Sequence, residues 1–324
     1  MSAPDTPFYP MTHDDAQAII ALLDALFPLG LVTPTKSGLL APDAEAIEDG
    51  FIKEATPSNK GLMSAEHAAL LANPAELIFT AGKSLTQKAG FHNSIFRGSS
   101  LGGSITAAQW AAISAGTFDD MFIGDFWFIN SVKWRIAAFD YWLGCGDTQC
   151  TTHHVVIVPD TCLANCKMNN TDATTGAYVG SDWYTGNNSN AGKSTANAAI
   201  NSAFGSEHIL SHREYLKNVV SNGFESGAAW YNSTFELMTE QMVYGGKIYG
   251  NVMNGSTAPY SFTTDKSQLP LFAIAKEYIL ADDGWWLRDV ARGTAFAQVS
   301  GHGSAGYFGA SNVFGVRPAF GIIA

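Results

Sequence analysis

Two short strings near the C-terminus decide the reading: Trp285-Trp286-Leu287-Arg288 and, after a turn-rich interval, Gly315-Val316-Arg317-Pro318-Ala319-Phe320. Each sets an Arg among aromatic and aliphatic residues of strand-forming type. An Arg on an apolar strand needs a partner, so Arg288 and Arg317 are each expected to meet a buried acceptor, with Trp286 as a structural residue beside them. The interval from Asp289 to Phe314 differs in kind. Small residues alternate there with Phe296, Gln298, Ser300, His302, Ser304, Tyr307 and Asn312, and period-two spacing predicts one shared face. Polar and aromatic groups mixed on a Gly-rich scaffold suit an adaptable binding surface. A plain surface hairpin is the other reading.

Strands are also expected upstream, over Met121 to Ile129 and Val132 to Trp142 with a turn at Asn130-Ser131, and over His153 to Val158 before Pro159-Asp160. Further strands are read at Leu271 to Ile274, Trp285 to Val290, Ala295 to Ser300 and Val313 to Ile323. Helices are expected after the capping boxes Thr106-Ala107-Ala108-Gln109 (stopped by Gly116), Ser211-His212-Arg213-Glu214 and Ser233-Thr234-Phe235-Glu236, and over Thr195 to Phe204. Helices early and irregular strands late, without alternating βαβ units, predict an α+β fold.

The N-terminal residues 1–78 read differently. Asp14 to Phe27 has the broad apolar face of a short helix. Thr33-Pro34-Thr35-Lys36-Ser37-Gly38-Leu39-Leu40 then recurs as Thr56-Pro57-Ser58-Asn59-Lys60-Gly61-Leu62-Met63, a period of 23 residues, with helix starts expected near Pro42 and Ser64 and a stop at Asn73-Pro74. A unit this small cannot bury a core alone and calls for association, with its neighbour or with other copies of the chain. The domain division expected is 1–78 and 79–324.

The chain has 324 residues, 18 basic and 29 acidic side chains and a net charge of −11. That balance argues against a nucleic-acid surface, which needs clustered Lys and Arg. Charged residues make up 15%, and 32 glycines point to a turn-rich, weakly charged surface. The apolar stretch Ala18 to Val32 is interrupted by Asp24 and Pro28, so no membrane insertion is expected. Met1 to Asp15 lacks the Lys or Arg of a secretory leader, and synthesis in a cytoplasm is expected.

Several chemical signatures fail on context. Gly98-Ser99-Ser100-Leu101-Gly102 spells a nucleophile-elbow string, but no strand-turn-helix surrounds it. Gly186 to Ser194 has one residue too many for a phosphate-binding loop. Asp119-Asp120 and Asp282-Asp283 could hold calcium but lack a full ligand set. Cys145, Cys150, Cys162 and Cys166 leave three readings open: disulfides, free thiols, or a zinc site with His153 or His154. Zinc and calcium are thus the cofactors the sequence admits, with none certain.

The W-L-R and G-V-R-P pair, together with Gly124-Asp125, Trp134-Arg135-Ile136, Val155 to Asp160 and Gly176-Ala177-Tyr178, resembles the C-type-lectin-like fold of the formylglycine-generating-enzyme type, over roughly residues 90 to 324. The resemblance does not bring catalysis with it. Those enzymes use cysteines near the chain end to hold copper, and here no Cys follows Cys166. The related iron sulfoxide synthases use a histidine set; His208, His212 and Glu214 supply the letters H-x-x-x-H-x-E without a third His. The same fold is similar to that of phage receptor-binding proteins, including variable proteins diversified by retroelements, in which the stretch between the two motifs displays the binding side chains. The T-P-x-x-x-G-L units resemble segments near the N-termini of phage tail-fibre and head-fibre proteins.

The resemblance implies a phage virion protein, assembled in the host cytoplasm, and not an enzyme. Residues 1–78 would oligomerise, as a homotrimer, and dock on other virion proteins. The second domain would bind a host cell-surface glycan or protein through Asp289, Arg292, Phe296, Gln298, His302, Tyr307 and Asn312. The alternatives are a decoration protein without a ligand, or a metal-dependent enzyme of the formylglycine-generating type.

Overall fold

The computed structural model describes residues 47–48, 51–52, 88–187, 191–250 and 267–324. The chain divides into two units, Met1–Thr86 and Gln87–Ala324. In the first, β1 (Ile47–Glu48) pairs antiparallel with β2 (Phe51–Ile52), so a helix opening near Pro42 does not run through them. The helix expected over 14–27, both matched copies of the repeat and Asn73-Pro74 lie outside the described residues.

The second unit is α+β. One mixed sheet has the spatial order β10 (Phe235–Leu237), β15 (Pro318–Ile322), β6 (Val155–Pro159), β5 (Val132–Phe139), β4 (Phe126–Ile129) and β3 (Ser100–Gly102). A second has the order β13 (Ala305–Gly309), β12 (Ala295–Val299), β11 (Trp285–Arg292), β14 (Phe314–Val316) and β7 (Ala164–Cys166). A third element is the long hairpin of β8 (His212–Ser221) and β9 (Phe224–Ser233).

Local chemistry accounts for many of these elements. Asn130 and Ser131 both take positive φ, and that two-residue turn matches the twist of the β4–β5 hairpin. β6 reads Val-Val-Ile-Val-Pro and is buried throughout, as an inner strand covered on both faces must be. After the short helix α1 (Ala89–His92), helix α2 (Ala107–Ala115) shows both halves of the Thr106–Gln109 capping box, and Gly116 ends it in the left-handed conformation. Helix α3 (Asp182–Thr185) is capped by Ser181, and helix α4 (Gly192–Phe204) brings Phe204 edge-to-face with Trp134 and Phe320.

The G-V-R-P string joins the two large sheets. β14 and β15 are separated only by Arg317, yet belong to different sheets. Arg317 is buried, donates from Nε to Pro159 O (2.8 Å) and from Nη1 to Ile279 O (3.2 Å), and packs over the Trp285 ring. Burial lowers its guanidinium to about 10. Trp286 donates to Cys166 O at 2.8 Å, tying β11 to β7. The buried acceptors expected for Arg317 are thus present, and Arg288 finds its own in Glu214.

Three element assignments are corrected. Ser211 to Glu214 opens strand β8, not a helix, because His212, Glu214 and Leu216 all turn inward at period two. Ser233 to Glu236 leads into strand β10; Ser233 Oγ donates to Glu236 Oε1, but Glu236 pairs with Ala319 across the sheet. The helix comes next, as α5 (Glu240–Tyr244), capped by Thr239. Leu271 to Ile274 belongs to helix α6 (Pro270–Ile274), with Pro270 in its first turn, where the missing N–H costs nothing.

Candidate functional site

Five carboxylates are buried in the second unit around β8–β9 and β11: Glu214, Glu225, Glu236, Glu240 and Asp289. Burial of a charge is costly unless each is paired or hydrogen-bonded. Glu214 accepts from Arg288 Nη1 at 2.5 Å and lies 3.1 Å from His212 Nε2. Burial pushes its carboxyl up, but the Arg288 charge and the His212 contact outweigh that and hold it at about 2. Glu236 accepts from Tyr178 and Ser233.

Glu240, in the first turn of α5, takes three backbone amides: Ile248 (2.8 Å), Tyr249 (3.0 Å) and Gly250 (2.7 Å). Its own N–H donates to Asp289 Oδ2 at 2.7 Å. The 248–250 segment is thereby laid directly on the acids. A Cβ at Gly250 would stand 2.9 Å from Asp289 Cβ, so only glycine fits there. Lys247 completes the group, its Nζ 3.7 Å from Glu225 Oε2 and 3.9 Å from Asp289 Oδ1. Glu225 Oε1 accepts from Val290 N, while Oε2 is buried without a hydrogen-bond partner. Both carboxylates line a small cleft with Tyr178, Tyr215, Lys217, Thr239 and Arg288, with room for about one water molecule. Burial, then the neighbouring Asp289 charge, raises Glu225 to about 7. Burial likewise pushes Asp289 up.

Next to this group is a rim that is exposed at Tyr249 and Arg292 and half-buried at Tyr307. Tyr249 meets Tyr307 edge-to-face, ring centroids 5.1 Å apart, and the Arg292 guanidinium lies 4.4 Å over the Tyr307 ring. Arg292 pairs with Ala295 and Tyr307 with Ala297, which places both on one face of the β11–β12–β13 sheet.

The expected binding set is therefore only partly assembled. Asp289, Phe296 and Gln298 were expected on an exposed face but are 4%, 0% and 2% exposed. Phe296 and Gln298 lie opposite Phe308 and Gly306, so they face away from Tyr307. The pairing register, invisible in the spacing, divides the set between two faces. Asn312 is exposed beyond the end of β13 nearer Arg292, and its Nδ2 donates to Gly309 O. His302 is exposed on the turn at the other end. Tyr249 and Lys247 had no signal in the sequence reading; the Glu240 clamp holds the backbone of Tyr249, and Glu225 and Asp289 face Lys247.

The weak metal candidates do not converge. All four cysteines are free thiols. Cys145 and Cys150 share one turn, Cys162 lies against Gly315, and Cys166 lies against Gly192. Burial is the largest cause raising the first three, Cys162 to about 12. Asp120 pairs with Arg97, and Asp282 accepts from Cys162 N. His208 stacks on Trp110, away from the His212–Glu214 contact. Among the described residues, no group of three or more His, Cys, Asp or Glu is placed to hold a metal. Ser100 of the elbow-like string sits in edge strand β3, and Lys193 turns back over the Tyr184 ring. No protein-family model, curated protein or solved structure matches the chain.

Proposed function

We propose that the chain is a phage virion protein, a tail- or head-fibre component, whose second unit is a C-type-lectin-like domain that binds a host-surface ligand without turning it over. The observation that carries this reading is the rim of Tyr249, Tyr307 and Arg292. Two tyrosines present apolar ring faces with hydroxyl tips, and Arg292 adds a planar fork of donors. That combination suits a saccharide or a polar protein surface. Buried Glu240 fixes the backbone under Tyr249, so little ordering is left to be paid on binding. Residues 1–78 would gather copies on the virion, and several weak sites would then act together.

The test is binding of the labelled full-length protein to a panel of bacterial strains. Selective binding is expected, weakened about tenfold or more by Tyr307→Ala or Tyr249→Ala, as for a truncated aromatic hot spot. Absence of binding to every strain would transfer the assignment to a decoration protein.

A further inference from the structure

Lys247 stands between two buried carboxylates on different strands, Glu225 on β9 and Asp289 on β11, at 3.7 and 3.9 Å. The three residues that follow it are the ones whose amides Glu240 holds, and one of them is Tyr249 of the rim. A pull on Lys247 is therefore a pull on the rim. Glu225 Oε2 is buried and lacks a hydrogen-bond donor, and Glu225 lines a cleft with room for about one water. A carboxylate oxygen so placed is costly when ionised, unless a cation closes on it.

We propose that Glu225 is a proton-operated latch on the rim: ionised, it draws Lys247 inward and fixes the 247–250 segment; protonated, it gives up its share of the hold on Lys247 and loosens Tyr249. The inference rests on the ligand-binding reading, whose site it regulates. The charges facing Glu225 come from three elements. Asp289 on β11 opposes ionisation, while Lys217 on β8 and Lys247 after α5 favour it. Around Asp289, Glu240 on α5 adds a like charge and Arg288 an opposite one, the latter also bound to Glu214. With Glu225 at about 7, the latch closes as pH rises through neutrality.

The latch is tested on the full-length protein without any ligand, by hydrogen exchange at the amides of Ile248, Tyr249 and Gly250. Rates are compared at about pH 6 and about pH 8 after correction for intrinsic exchange. Protection is expected to rise about tenfold at the higher pH, the scale of one charge-assisted hydrogen bond. Glu225→Gln and Lys247→Met are each expected to abolish that rise. Lys247 is partly exposed, so its variant serves if the Glu225 variant does not fold. Equal protection at both pH values in the wild type, or an undiminished rise in either folded variant, overturns the latch. Failure of cell binding alongside a pH-dependent rim would instead overturn the ligand reading and leave the latch standing.

Discussion

Arg288 on β11 donates to Glu214 on β8 at 2.5 Å across 74 residues of sequence, with both side chains buried. The contact ties the β8–β9 hairpin to the five-stranded sheet. Its value lies in pairing two charges that the interior solvates poorly, with Arg288 the largest charge holding Glu214 ionised. Arg288→Met is expected to cost about 3–5 kcal/mol in urea unfolding at neutral pH. Adding Glu214→Gln should recover much of that loss, because the buried carboxylate that has lost its guanidinium is then removed. Simple additivity of the two losses would show that the side chains act independently.

The β4–β5 turn carries a correctable strain. Ser131 holds φ at 63° and is exposed at the end of the hairpin. A side chain is disfavoured there and glycine is not. Ser131→Gly is expected to stabilise the protein by about 0.5–1 kcal/mol, read as a higher urea midpoint with an unchanged slope.

Where side chains and burial agree, the sequence was legible: the Thr106 cap, the β4–β5 turn, inner strand β6 and the acceptors for Arg288 and Arg317 all follow from residue type. Strand β8 was hidden because its inward positions include His212 and Glu214, so the period of two carries no hydrophobic signature. A signal was nonetheless there: Asn222 and Gly223, both with positive φ, form a hairpin turn between β8 and β9. The site was less legible than the fold. Arg292 and Tyr307 could be named, but the partners that shape their surroundings, Tyr249, Glu240 and Glu225, lie far off in sequence. The register that buries Phe296 and Gln298 depends on which strand pairs with which.

Glu225 makes stability depend on pH in an unusual direction. Its carboxyl titrates at about 7 in the fold against 4.5 in the unfolded chain. Between those values the native state keeps a proton that the unfolded state has released. Its contribution to stability is therefore lost as pH rises through that window. Glu225→Gln cannot lose this proton. Its stability relative to wild type should climb by on the order of 2–3 kcal/mol from about pH 4.5 to about pH 7. Urea unfolding across the window would measure it, and a constant difference would refute the assignment.

His154 acts with the opposite sign. Its ring is buried; Nε2 accepts from Trp142 N at 3.0 Å, so Nδ1 carries the proton and donates to Thr152 O at 2.9 Å. A second proton would have to enter on Nε2, directly against the Trp142 N–H. Burial is the main cause holding the imidazole down at about 4, against 6.5 when unfolded. As pH falls through that interval the unfolded chain takes up a proton that the fold refuses, and stability is lost. His154→Gln keeps an acceptor for Trp142 N and has no proton to refuse. Its acid unfolding curve should therefore be shallower between about pH 6.5 and about pH 4, by on the order of 2–3 kcal/mol over the span. Nitrogen chemical shifts supply a direct check: Nε2 of wild-type His154 is expected to stay unprotonated at about pH 5, where an ordinary imidazole is mostly cationic.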